Sequence, residues 1–345
     1  TVARKKTVSF SSRALRKVSL VLALLLSVST GGMAAENVDS RAAAAVFSQY
    51  ETVFYTNTDL SSRFSSFKGL SRQSAGSLSL PFAYLMGALD SLDPRASEEI
   101  LGKTDALVAG VRDFIPPEGE GGAQLGEFSY VASFGKRGTP SLDKYFNQVP
   151  TASVGGAPVW RWVGKIYGEN AEGNEIYASQ VDHSHLVFAS DLQELKGIAR
   201  KLSSPDDGSS VLNKIPEWAA VSQHEYWGYR KVPRHDGTIE KEAAHLEFTV
   251  PGAETIIMFA DVEKKVAVVR VLGVHANEVV EMTKRRDEQQ RKALKRLGMG
   301  PFPSPETFKA TDARTLEETF SLSGGEQTEG EILTALALFG YEILI

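Results

Sequence analysis

From residue 125 onward the chain is cut into short segments rich in β-branched and aromatic side chains, and Gly, Asn and Asp fill the gaps. EFSYVASF, PVWRWVGKIYG, NEIYASQV and SHLVFAS come first, then HEYWGYRKV, AHLEFTV, TIIMFA, KVAVVRVLG and TLEETFSL. Such segments are half-buried or buried strands. Most follow one another at hairpin distance, whereas parallel neighbours need a crossover of a dozen residues or more, so the strands are predicted to be antiparallel. The interposed DLQELKGIARKL places Leu192, Leu195, Ile198, Ala199 and Leu202 on one helical face behind an Asp191 or Ser190 cap. A long helix begins near 276, and a short helix and the strand YEILI close the chain. The predicted fold class is therefore α+β: an N-terminal helical segment, then mainly antiparallel sheet with packed helices. Residues 123–345 form the α+β region, with two sheet-and-helix halves meeting near 205–220 as its finer division.

Residues 36–117 read as helical. Val46, Phe47, Tyr50, Val53 and Phe54 fall on one helical face, and Phe82, Leu85, Met86 and Leu89 do so again behind Pro81, which suits a first helical position. Asp93-Pro94 stops that helix and Ser97 caps the next, along which Ile100, Thr104, Leu107, Val108 and Val111 keep helical spacing. PPEGEGG, at 116–122, is the connector to the strands.

The first 35 residues have the form of a cleavable signal peptide. Residues 1–17 carry six basic side chains and no acid, the apolar run VSLVLALLLSV follows, and small residues surround a cleavage point after Ala34 or Ala35. Eleven residues reach only about 16 Å as a helix, half of a hydrocarbon core of about 30 Å. Export to the periplasm or the extracellular space is the expectation, with no transmembrane span after cleavage; a signal anchor and organelle targeting are the alternatives. Removing residues 1–35 takes the net charge from −5 to −11. An acidic chain argues against nucleic acid as the main partner. With no cysteine there is no disulfide, thiolate nucleophile or Cys-ligated metal.

LSGGEQ, at 322–327, is similar to the signature loop of ABC-type and chromosome-maintenance ATPases, but that loop works only beside a phosphate loop and a Mg²⁺-handling carboxylate strand. The nearest phosphate-loop candidate, SEEILGKT, has Ser97 where the first glycine belongs. No Asp follows the signature in the eighteen residues that remain. Leu322 closing a strand, Gly324 and Gly325 turning, and Ser323 with Glu326 as a capping box account for the same letters. The chain is read as not an ATPase, and no cofactor is expected.

The remaining candidate sites are few. There is no Gly-x-Ser-x-Gly elbow, His-Glu-x-x-His helix or Asp-rich calcium loop. DHSH offers His183 and His185 two apart, a spacing that places two imidazoles on one side of a strand and makes them the weak metal-ligand candidates. HEYWGYRKV is the densest polar-aromatic stretch: His224, Tyr226 and Arg230 share one strand face, Glu225, Trp227 and Tyr229 the other, one face in the core and one partly exposed. Tyr226, Trp227 and Tyr229 are the ligand-stacking candidates, and His224, Glu225 and Arg230 the weak catalytic ones. In the helix at 277–298, residues 283–292 carry no apolar side chain, so this stretch is predicted to project into solvent. Lys284, Arg285, Arg286, Arg291, Lys292, Lys295 and Arg296 give residues 284–296 a local charge of +5, suited to an acidic protein or an anionic surface. The reading is an exported, non-catalytic binding or interaction protein; the alternative is a secreted hydrolase acting on a sugar or peptide.

Overall fold

The computed structural model describes residues 39–56, 81–115, 124–146, 149–164, 174–204, 208–232, 252–296 and 304–323. The expected N-terminal signal sequence, AHLEFTV, the GGEQ of LSGGEQ, the short helix expected after it and YEILI lie outside them.

Among the described residues twelve strands form one sheet in which every neighbouring pair is antiparallel. In chain order they are β1 Thr52–Thr56, β2 Ala106–Ile115, β3 Gln124–Ser133, β4 Ala152–Val154, β5 Ala157–Gly164, β6 Asn174–Gln180, β7 His185–Ala189, β8 Tyr226–Lys231, β9 Thr255–Asp261, β10 Val266–Leu272, β11 Ser304–Asp312 and β12 Thr315–Ser321. Their spatial order is β11-β12-β10-β9-β8-β1-β2-β3-β7-β6-β5-β4. Every strand before residue 205 lies on the β1 side of the β1–β8 seam and every strand after 220 on the β8 side, and the seam itself is fully paired, from Thr52 opposite Arg230 to Thr56 opposite Tyr226. Val38–Ile345 thus make one compact unit. The α+β class stands.

Helices cover both faces of the sheet. On one face lie α2 Pro81–Leu92, α3 Ala96–Ile100 and the start of a long helix, Ala276–Arg296. On the other lie α1 Ser40–Phe47, α4 Leu192–Leu202 and two single turns, α5 Ser209–Leu212 and α6 Trp218–Val221; the long helix is α7. Successive strand residues therefore feed opposite cores: Phe54, Leu107, Tyr130, Tyr226 and Met258 the first, Val53, Val108, Val131, Trp227 and Ile257 the second.

Two readings within 36–117 are corrected by this arrangement. Helix α1 ends at Phe47, and Val53 and Phe54 belong to β1, on opposite faces. Likewise α3 ends at Ile100, one 3₁₀ turn follows at Leu101–Lys103, and Leu107, Val108 and Val111 are strand residues of β2. A strand covered on both faces is apolar at consecutive positions, so the alternation that distinguishes strand from helix is absent and helical spacings arise by coincidence. Gly110 on β2 has a particular reason: a Cβ there would come within 2.4 Å of the Tyr50 ring, so only glycine admits Tyr50 against the sheet.

Helix α7 packs through Ala276, Val279, Val280 and Thr283; beyond Thr283 the described side chains Lys284, Arg285, Glu288, Gln289 and Lys292 are exposed. Among the described residues no helix is long and apolar enough to cross a membrane.

Candidate binding cleft

At the β1–β8–β9 end of the second face the chain builds an aromatic cluster and, beside it, a cleft of about 770 Å³. Tyr55 and Trp227 are cross-strand partners in the β1–β8 register and stack with centroids 4.7 Å apart. Phe47, the last residue of α1, lies parallel to Trp227 at 5.8 Å, while Trp218 and Tyr229 meet both rings edge-on at 5.1 to 5.8 Å. These are the offset and T-shaped contacts that ring quadrupoles favour. Tyr55 and Trp227 are fully buried, whereas Phe47 and Trp218 are partly exposed.

The cleft is bounded by Phe47 and the following turn to Glu51, by the 214–216 turn, and by the adjoining ends of β8 and β9. Its apolar walls are Phe47, Ile215, Pro216, Tyr229 and Val232. Two bonds hold the 214–217 turn in place: Tyr229 Oη donates to the Pro216 carbonyl at 2.8 Å, and Arg270 pairs with Glu217 while its Nε donates to Glu317 at 2.8 Å. Burial, then the nearby Glu217 charge, raises the Tyr229 pKa, so its hydroxyl remains a donor. Four ionised groups rim the cleft: Lys231 bonds Glu51 at 2.8 Å, Glu254 pairs with Arg314 at 3.3 Å, and Lys214 has no partner among the described residues.

A polar network backs the Tyr50 side. Tyr50 Oη is 2.6 Å from Ser129 Oγ and donates to Glu194, Arg112 pairs with Glu194 at 3.2 Å and with Glu127, and its Nη2 donates to the Gln49 carbonyl at 2.8 Å. It ties the turn after α1 to α4, β2 and β3.

The aromatic-strand candidates divide. Of Tyr226, Trp227 and Tyr229, only Tyr229 lines the cleft; Tyr226 and Trp227 belong to opposite cores. The partly exposed strand face expected at 226–230 is corrected: all five residues are buried, because helices cover both sides of the sheet. Arg230 is buried with them, and desolvation lowers its pKa to about 10.

His224 and Glu225 precede β8 and serve the β9–β10 turn. His224 Nδ1 lies 2.9 Å from Asp261 Oδ2 and the ring stacks on Phe259 at 4.2 Å, while Glu225 Oε2 accepts from the Val262 amide at 2.9 Å. Burial would raise the Asp261 pKa, but His224, Lys264 at 2.6 Å and the Glu225 amide bring it down to about 2.

His185 opens β7, buried between two carboxylates: Nδ1 is 2.8 Å from Asp182 and Nε2 is 2.6 Å from Asp39 Oδ2. Asp39 also caps α1, accepting from the Ala42 amide at 3.0 Å, and accepts from Ser133 Oγ at 2.8 Å. Burial alone would lower the His185 pKa, but Asp39 and then Asp182 raise it. With a carboxylate oxygen within 2.8 Å of each ring nitrogen, the geometry favours the doubly protonated ring, in which neither nitrogen offers a lone pair to a metal. His183 stands apart, over Gly138, where a Cβ would come within 2.6 Å of its ring. No group of three or more metal-ligating side chains occurs among the described residues.

Of the basic helix candidates, Lys284, Arg285 and Lys292 are exposed, with Glu288 among them. The side chains of Arg286, Arg291, Lys295 and Arg296 lie outside the described ones.

Phe47, Lys214 and Asp261 carry no motif. Only the β1–β8 pairing brings Phe47 to Tyr229, and only the β8–β9 pairing brings Asp261 to His224.

No family model and no curated protein matches the chain. Among solved structures it is similar to TP0453 in crystal form I, at 9% identity and a TM-score of 0.41, over 85% of this chain and 97% of that one. Crystal form III gives 9% and 0.38 over the same shares, and crystal form IV gives 10% and 0.37 over 85% and 94%. A likeness at this level carries no argument about chemistry.

Proposed function

We propose that this chain is an exported, non-catalytic binding protein whose ligand site is the cleft beside Phe47 and Tyr229. The observation that carries the reading is the convergence there of a concavity of ligand size, an aromatic wall and a charged rim. The suspicious polar groups elsewhere support it from the other direction. Glu225 caps a turn and Arg230 is buried in the sheet. Export rests on the basic, apolar and small-residue pattern of residues 1–35. The exposed start of the basic stretch on α7 is a second contact surface, for an acidic protein or an anionic membrane.

The test uses a neutral environment-sensitive dye, phenylnaphthylamine, titrated into the full chain. Saturable binding that quenches tryptophan emission, and that Phe47→Ala weakens at unchanged helical and sheet content, is the expected result. Binding that ignores Phe47, or none at all, sinks the cleft as a site.

A second reading, a secreted hydrolase acting on a sugar or peptide, has one observation in its favour. His224 is oriented by Asp261 through Nδ1, the arrangement that leaves Nε2 for proton transfer. Among the described residues no hydroxyl is hydrogen-bonded to His224. Under this reading His224→Ala abolishes turnover of chromogenic glycosides or peptides by protein purified to homogeneity; with no turnover in the parent chain the reading falls.

A further inference from the structure

We infer that the cleft selects a small aromatic anion, a ring-bearing carboxylate or sulfonate, with Lys214 as the residue that receives its charge. This deepens the binding reading and rests on it.

The rim decides the sign of the ligand. Glu51 is matched by Lys231 at 2.8 Å, and Glu254 by Arg314 at 3.3 Å. Lys214, on the turn held by Tyr229 and Arg270, is exposed, lines the cleft and is matched by no described residue. An ammonium unmatched among the described residues, beside an apolar wall, is a receptor for an anion that carries its own apolar body. The ring settles beside Phe47, Ile215 and Pro216, and its charged group meets Nζ.

The opposite sign is disfavoured by the aromatic cluster. Cation recognition by rings needs an open cage of ring faces. Here Phe47, Trp218, Trp227 and Tyr229 pack on one another at 5.1 to 6.4 Å, so they make a wall on one side of the cleft and not a cage around a cation. The chain as a whole is acidic, so capture of the anion is a local event at Lys214 that salt weakens, not long-range steering.

The experiment compares two dyes of similar shape on the full chain: anilinonaphthalene sulfonate, an anion, and phenylnaphthylamine, which is neutral. Lys214→Glu is expected to weaken the anionic dye about tenfold and the neutral dye, which shares the cleft, by a clearly smaller factor. Lys214→Met, which keeps an apolar stem without the charge, is expected to fall between. Equal affinity of the two dyes together with indifference to both Lys214 variants overturns the anion assignment while leaving the cleft as a site. Insensitivity of both dyes to Phe47→Ala overturns the cleft, and the anion assignment with it.

Discussion

Among the described residues two histidines are paired with aspartate, and the pairs differ in what remains of the imidazole. His185 is closed on both sides, with Asp182 on Nδ1 and Asp39 on Nε2. His224 is engaged through Nδ1 alone, and its aspartate is shared with Lys264 and a backbone amide. The first is a cross-link: it joins the turn before β7 to the N-cap of α1, residues 146 positions apart. The second is a hinge pin on one turn, with a ring nitrogen left over. The same two residue types make an immobile ion pair in one place and a group with chemical capacity in the other. Burial and the number of carboxylates decide which.

The largest effect should come from breaking the first pair. His185→Ala strands Asp39 beside a cavity and loosens the cap of α1, so a loss of about 3 kcal/mol in unfolding free energy is expected by denaturant titration. His185→Gln, which keeps donor capacity toward one carboxylate, should recover part of it. A loss within about 0.5 kcal/mol for His185→Ala, the size expected at a surface position, would show the pair to be ornamental.

The pH dependence sharpens the contrast. His185 has a raised pKa, so its contribution is complete below the unfolded value near 6.5 and disappears as pH rises through the folded value. Asp39 is lowered to about 2, so its share is complete above roughly pH 4 and disappears as pH falls toward 2. Both describe one bond and count once. The stability difference between the parent chain and His185→Gln should therefore be greatest between about pH 4 and 6.5 and narrow on either side. A difference that grows steadily into alkali would contradict an imidazolium at His185.

This contrast was partly legible in the sequence. The spacing in DHSH drew notice to His183 and His185, and Asp182 stood next to them, but Asp39 reaches His185 only once α1 is laid across the sheet. Most described strands beyond 125 are legible because Gly, Asn and Asp punctuate them; β4 and β11 are not among the segments so marked. Strands β1 and β2 were not: coverage on both faces removes the alternation, and Tyr50, Val53 and Phe54 then mimic a helical stripe. Tyr229 stands out in the sequence as part of an aromatic strand, while Phe47 and Lys214, the residues that make a cleft of its surroundings, lie at the end of an ordinary helix and in a turn.

The smallest effects belong to the second pair, and they separate its structural role from any chemical one. His224→Ala leaves Asp261 with Lys264 and the Glu225 amide, so about 1 kcal/mol is expected, from one lost hydrogen bond and the contact with Phe259. Lys264 is 68% exposed, and Lys264→Ala should cost no more than about 0.5 kcal/mol, since a surface partner is screened by water and salt. The double variant is the informative one. If the two partners hold Asp261 independently, the two losses add; if each compensates for the other, removing both exposes a buried carboxylate, and the double variant loses more than the two losses together. The second outcome makes His224 a structural partner whose ring position is set by its hydrogen bond to Asp261. The first leaves the imidazole free of that duty, and then its unengaged nitrogen becomes the place to look for chemistry.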